Sequence, residues 1–226
     1  MVRSRCHALC SLWASLMISV VPKVIVQFWH ALDIPDDVFN LQSSWANLNR
    51  DFTHITFDDE SAKWFIHENY PFSGYDRLFQ SCAYPHMRAD LFRYLYLYRH
   101  GGVYVDSDEK AVGPLPAFKS PLTLRVGERP DQYGNNFIAC RPKMPFLLKL
   151  IQYAMNEIQE RREQSISMVT GPYRFRDMVR RYVDRSHLRT LSASEYASFS
   201  SMGETPAYKK ESDWQSLEAR GVSLYK

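Results

Sequence analysis

Asp106 and Asp108 flank a single serine, Ser107, directly after the short apolar run Val103-Tyr104-Val105. Two carboxylates at that spacing suit a hard divalent cation. Mg²⁺ and Mn²⁺ prefer oxygen ligands and usually bridge one or two carboxylates to substrate phosphates, keeping waters elsewhere in the shell. When a sugar departs from a nucleoside diphosphate, negative charge builds on the diphosphate, and a cation there acts as a Lewis acid against it. The residue types therefore point to metal-assisted transfer from an activated sugar, with Asp106 and Asp108 as the metal-binding and catalytic pair. An EF-hand is excluded, because Lys110 and Ala111 stand where a third ligand and a glycine are required. A glycoside hydrolase needs two acids facing each other across a bond, about 5–10 Å apart. Two acids at one strand end suit a shared cation better.

Two aspartates one residue apart also recur by chance in surface turns, so the elements around them matter. The whole stretch Arg88 to Asp108 reads RADLFRYLYLYRHGGVYVDSD. Pro85 opens a helix as a first-turn proline, and Gly101 closes it as a left-handed cap. Leu91, Tyr94, Leu95 and Tyr98 repeat at helical spacing and should face a sheet, with Asp90, Arg93 and Leu97 on a neighbouring stripe. The strand that follows delivers Asp106 at its carboxyl end, the edge where open α/β sheets bind ligands. The plain alternative for Asp90 and Arg93 is a helix-surface ion pair contributing under about 1 kcal/mol.

The rest of the chain alternates strand and helix. Lys23 to Trp29 is a buried first strand, and Asp37 caps a helix through Trp45. His54 to Phe57 forms a second strand, and acidic Asp58-Asp59-Glu60 start a helix running to about Asn69. Leu122 to Val126 and Asn136 to Cys140 read as further strands. Pro145 to about Arg162 is a long amphipathic helix, and Thr170-Gly171-Pro172 is a loop. A basic helix then holds Arg174, Arg176, Arg180, Arg181 and Arg185. Its plain reading is a solvated face, and the alternative is contact with anionic lipid or a phosphate-bearing acceptor. From Ser192 onward the chain is polar with weak periodicity. The alternation predicts an α/β domain with a mainly parallel central sheet flanked by helices.

At 226 residues and 45% hydrophobic, the chain can bury one domain, spanning residues 22–226. The net charge of +3 does not suit a nucleic-acid binder. Cys6, Cys10, Cys82 and Cys140 form no CxxC pair and read as reduced thiols, compatible with a cytoplasmic compartment. Arg3 and Arg5 precede an apolar run from Ala8 to Val21 that is shorter than the roughly 20 residues of a spanning helix. Residues 1–21 are therefore either a weak, peripheral membrane-association segment or a dispensable extension.

On VPKVIVQFW, SSWANLNRDFTHITFDDE, the long central stretch, NNFIACRPKMPF and VTGP, the sequence resembles glycosyltransferase family 32, the DXD-containing sugar transferases. Around the central helix and DXD it is also similar to bacterial toxin glucosyltransferase domains. The resemblance implies a GT-A nucleotide-sugar-binding fold, a UDP- or GDP-sugar donor, Mn²⁺ or Mg²⁺, and retention at the anomeric carbon. A glycan, polysaccharide or glycolipid would be the acceptor. By position, Asp108 would be the principal metal ligand, and Asp106 would reach the metal through water and contact the donor. Asp90 and Arg93 would hold the transferred sugar's hydroxyls, Asn135 would lie near the donor, and Trp29 near the nucleotide. On the residues alone, Trp29 fits the core equally well, and Asn135 fits a turn. Val26 stands where many members have His, and the tail offers only Ser212-Asp213-Trp214 as a donor-covering element. Those departures motivate the alternative of a degenerate member that binds nucleotide-sugar without transferring it.

Overall fold

The computed structural model describes residues 21–127, 129, 131–162, 165–201, 206 and 223–226. The expectations for residues 1–20 and for Ser212-Asp213-Trp214 lie outside the described residues. The elements in order are β1 (Val24–Phe28), α1 (Asp36–Leu48), β2 (Thr53–Phe57), α2 (Asp59–Asn69), α3 (Tyr75–Ser81) and α4 (Pro85–His100). β3 (Gly102–Val105), β4 (Lys110–Ala111), β5 (Leu122–Val126), β6 (Tyr133–Cys140), α5 (Pro145–Glu160), α6 (Ile166–Val169) and α7 (Pro172–Tyr182) follow. The described chain continues through a 3₁₀ turn (Arg185–His187), β7 (Leu188–Leu191), α8 (Ala193–Ala197) and β8 (Ser200–Ser201).

Six strands form one sheet in the order β2-β1-β3-β6-β5-β7. β1 runs parallel to β2 and β3, and β5 parallel to β7, while β6 is antiparallel to both of its neighbours. The sheet is mainly parallel, as its strand–helix alternation predicts, with β6 reversed. Side chains alternate across it in the usual two-residue period. Ile25, Val103, Val105, Phe137 and Ala139 pack on one face with Trp45, Tyr196 and Phe199. Val26, Phe28, Tyr104 and Ile138 pack on the other with α2, α4, α5 and α7. α4 is buried on most sides from Met87 to Leu97, with Arg88, Asp90 and Arg93 buried among its apolar residues. Asp58 caps α2 through a capping box with Ser61.

Several local expectations change. Asp37 is not a cap: the helix begins at Asp36 after Pro35, and both acids sit in its first turn. Asn135 lies inside β6, not in a turn. Arg185 stands past the basic helix, in the 3₁₀ turn. The polar stretch after Ser192 contains a capped helix and a strand, because Tyr196 and Phe199 supply the anchors that its composition hides. The basic helix is partly paired. Arg174 and Arg181 pair with Asp177, while Arg185 pairs with Asp131 and Arg180 donates to the Asp131 carbonyl, which supports the solvated-face reading. Cys82 and Cys140 are free, buried thiols, and burial pushes Cys82 up to about 12. Among the described residues, no helix is long and apolar enough to cross a membrane.

Gly101 ends α4 with φ 67° and ψ −160°, so it is a positive-φ stop whose ψ is extended, not a left-handed helical cap. A Cβ there would come within 2.7 Å of the Cys140 carbonyl oxygen and the Pro142 nitrogen. The bare α-carbon lets β6 pass close to the helix end and sets where β3 begins. Gly101→Ala should therefore destabilise the fold by about 1–3 kcal/mol, seen as a lower denaturation midpoint. An unchanged midpoint would mean that the junction relaxes.

Candidate functional site

Asp106 follows β3, whose parity aims its side chain at the α4 face, the same side as Tyr104. Arg93 of α4 lies over the Tyr104 ring, with its guanidinium carbon 4.3 Å from the ring centroid. From there its Nη2 reaches Asp106 Oδ1 at 2.9 Å and Asp90 Oδ1 at 3.2 Å. Its Nη1 donates to the Asn135 backbone carbonyl at 2.5 Å, and its Nε to the Ala89 carbonyl at 3.3 Å. The expected surface pair is thus an interior one: the side-chain exposures are 5% for Arg93 and 9% for Asp90. Removing one partner of such a pair leaves a buried charge uncompensated, at a cost of about 3–5 kcal/mol.

Asn135 reaches this cluster because β6 bulges. Leu124 pairs with Ile138 and Val126 with Tyr133, so β6 takes many more residues than β5 between the two pairings. The insertion flips the side-chain alternation. Asn135 turns to α4, where its amide donates to Asp90 Oδ1 and to the Tyr94 hydroxyl, both at 2.8 Å. Tyr94 donates in turn to the Thr170 carbonyl at 2.7 Å, and the Thr170 hydroxyl donates to Asp90 Oδ2 at 3.1 Å. Asp90, Asn135, Tyr94 and Thr170 close a buried ring. Sequence reading had placed Thr170 in a loop and Tyr94 on the sheet-facing stripe, without a polar role for either.

Asp106-Ser107-Asp108-Glu109 form a tight turn, closed by the Glu109 N–H on the Asp106 carbonyl at 3.1 Å. Gln27, buried in β1, donates to the same carbonyl at 3.2 Å. With its amide nitrogen so used, the Gln27 carbonyl accepts from His54 Nε2 at 2.7 Å, which places the proton on that nitrogen. Burial lowers the His54 pKa and favours the neutral ring. The Ser107 hydroxyl donates to the Phe28 carbonyl and accepts from Gln42, each at 2.8 Å. Asp106 keeps 30% of its side chain exposed, whereas Asp108 is 9% exposed. Trp29 sits at the same sheet edge but is buried, its indole N–H donating to the Asp33 carbonyl at 3.3 Å. The structure thus gathers Asp90, Arg93, Asn135 and Asp106 into one connected cluster, with Asp108 on the adjoining turn. Trp29 stands beside them as a packed residue.

Electrostatically, the cluster sets one guanidinium against several acids. The Asp106 carboxyl is pushed up to about 7 by burial, opposed by Arg93 and reinforced by repulsion from Asp108, Asp90 and Glu109. Burial likewise pushes Asp90 up to about 6, against the pull of Arg93, Thr170 and Asn135. Burial alone would lower the Arg93 pKa, but Asp106, Tyr104 and Asp90 raise it overall. The Asp106 carboxyl, which resists ionisation, is one a divalent cation would relieve, and Asp108 stands two residues on in the same turn, so the pair fits such an ion. Among the described residues, no three His, Cys, Asp or Glu side chains converge to hold a metal. The share this chain would contribute is the pair of carboxylates, the number Mg²⁺ or Mn²⁺ commonly takes from protein when phosphates complete the shell.

A mainly parallel sheet ending in a tethered Asp-x-Asp turn is the architecture of GT-A-type nucleotide-sugar-binding folds. Residues 35–124 match the family described as glycosyltransferase sugar-binding region containing DXD motif. The chain is 34% identical over 134 residues to a mannosyl phosphorylinositol ceramide synthase of Saccharomyces cerevisiae, covering 59% of this chain and 35% of that protein. It is 33% identical over 137 residues to inositol phosphoceramide mannosyltransferase 3 of Schizosaccharomyces pombe, covering 59% of this chain and 37% of that protein. The matched region is thus little more than a third of those relatives' length. The UDP-bound glycosyltransferase domain of the YGT toxin shares the fold, with a TM-score of 0.58 at 10% identity over 87% of this chain and 83% of that one. Over residues 35–124 the chain is similar to the DXD-containing sugar transferases, the resemblance its motifs carry.

The Asp90 shift carries a pH signature. Its folded pKa of about 6 lies above the ordinary aspartate value near 3.9, so ionising it costs native stability progressively as pH rises from about 4 through about 6. In metal-free protein, the melting temperature of wild type should fall relative to that of Asp90→Asn across this window. Parallel curves for the two proteins would contradict the buried, strained carboxyl.

Proposed function

We propose that the chain is a metal-dependent, retaining glycosyltransferase that moves a sugar from a UDP- or GDP-sugar to a glycan, polysaccharide or glycolipid acceptor. The observation that carries this reading is Asp106 at the end of β3, held by buried Arg93, with Asp108 two residues on in a tight turn. The names of the relatives favour mannose as the sugar and a phosphorylated ceramide glycolipid as the acceptor class. Mn²⁺ or Mg²⁺ held by Asp106 and Asp108 would supply Lewis-acid stabilisation of the departing diphosphate.

The chain's own groups bind and orient. Asp90 already accepts from Asn135 and Thr170 and faces Arg93 as an ion pair, which leaves an acceptor site open on a carboxylate with roughly four. That site suits a sugar hydroxyl. Arg93 donates from Nε and Nη1 to the Ala89 and Asn135 carbonyls and ion-pairs through Nη2 with Asp90 and Asp106, so it orients those two carboxylates beside the sugar. A carboxylate so thoroughly hydrogen-bonded is an acceptor more than a nucleophile. That favours front-face displacement, in which the leaving phosphate itself draws the proton from the acceptor hydroxyl. Fixed donors and acceptors around the sugar reduce the reorganisation needed at the moment of transfer.

Screening UDP- and GDP-sugars for Mn²⁺-dependent hydrolysis tests the donor without needing the acceptor. A mannose donor should turn over fastest, chelator should stop the reaction, and Asp108→Ala should abolish turnover while the circular dichroism spectrum stays native. Chelator-insensitive hydrolysis, or full turnover in folded Asp108→Ala, would overturn the proposal.

A further inference from the structure

The tight turn is held from behind as well as from the α4 side. Glu109 closes it, is 1% exposed, and points away from the Arg93 cluster. Its Oε1 accepts from the Asn136 amide at 2.5 Å. Its Oε2 accepts from the Tyr196 hydroxyl at 2.9 Å and the Ser200 hydroxyl at 2.6 Å. Its main-chain carbonyl accepts from the Trp45 indole at 2.8 Å. Four separate elements, β6, α8, β8 and α1, thereby fix one corner of the turn. The neighbours Asn135 and Asn136 divide the work, the first serving Asp90 and the second Glu109.

We propose that Glu109 is a positioning residue that sets the direction of the Asp108 carboxylate, with Tyr196 and Ser200 as its anchors; this rests on the metal-dependent reading above. Asp108 is the residue next to Glu109, buried in a turn whose other end is fixed by Gln27 and Arg93. With both ends pinned, the turn has little freedom to rotate its two acids apart. Packing alone does not call for a carboxylate here. Buried beside Asp106 and Asp108, Glu109 adds repulsion that a neutral side chain of similar size would avoid. What it gains is three directed hydrogen bonds, and bonds to a charged acceptor are stronger and more orienting than those to a neutral one. Tyr196 is itself fixed by edge contacts with Phe137 and Phe199, with ring centroids 5.4 and 5.2 Å away, and by Arg125 over its face at 4.8 Å. The carboxyl-terminal elements thus act as a backstop for the turn.

The test is Mn²⁺ affinity, read by electron paramagnetic resonance of free Mn²⁺ in the presence of UDP and, separately, of GDP, alongside donor hydrolysis. Tyr196→Phe/Ser200→Ala removes two hydroxyl groups and keeps the packing, so it should fold even if Glu109→Ala does not. It should bind Mn²⁺ about tenfold more weakly, with kcat recovering at saturating metal, and melt at a lower temperature because buried Glu109 loses two donors, so affinity is read well below that midpoint. Glu109→Gln, which keeps the shape and can still bond Asn136, should lie between this variant and wild type. Wild-type affinity in the folded double variant would overturn the positioning role alone. A wild-type protein that neither binds Mn²⁺ with nucleotide nor needs it for hydrolysis would overturn both this role and the proposed function.

Discussion

The Arg93 guanidinium is the joint on which the site depends. It stands on α4, stacks on Tyr104 of β3, and ties together Asp106, Asp90 and the Asn135 carbonyl of β6. These partners come from α4 itself, from β3 with the turn after it, and from β6, so the relative placement of three elements is fixed by one planar, permanently charged group. A lysine could not take the same role, because its single ammonium has no fork to bridge two carboxylates and a carbonyl in a plane. The surrounding apolar core makes the joint rigid: nearly every residue of α4 from Met87 to Leu97 is buried. The same burial makes the acids costly to ionise, and that cost is the electrostatic demand a bound cation would meet.

Two sets of anchors act on the turn that follows. The Arg93 cluster, with Gln27 on the Asp106 carbonyl, holds its start, and the Asn136, Tyr196 and Ser200 bonds to Glu109 hold its end. Ser107, tied to Phe28 and Gln42, holds the middle. Inward-facing Ser107 and Glu109 alternate with Asp106 and Asp108, so the residues that do not meet a ligand are those that fix the ones that would. The surroundings of Asp90 are built on the same plan, with Asn135, Thr170 and Tyr94 closing a buried ring around it.

Local pattern made much of this legible. Pro85, the stripe of Leu91, Tyr94 and Leu95, the glycine pair and the VYV run together placed a helix, a stop and a strand, and hence Asp106 at the edge of a sheet. Cross-chain contacts were not legible. The β6 bulge has no periodic signature, so Asn135 could be read as a turn residue although it sits within a strand and donates to Asp90 and Tyr94. Thr170 and Tyr196 lie 80 and 87 residues from the carboxyl groups they bond, a partnership that local spacing does not encode. The carboxyl-terminal elements are short and polar, and their few aromatic anchors only acquire meaning against Phe137. Trp29 shows the opposite limit: its position was foreseen, and its indole is satisfied by Asp33 within its own loop.

The account stands or falls on a cation at the end of β3. The most direct measurement is the anomalous-scattering map of crystals grown with Mn²⁺ and, in separate trials, UDP or GDP. The account predicts a single strong peak at coordination distance from the Asp106–Asp108 turn, bridging to the diphosphate, with Arg93 still paired to Asp106. A nucleotide bound elsewhere, or a diphosphate seated at this turn with manganese present in the crystal but no peak between them, would contradict it.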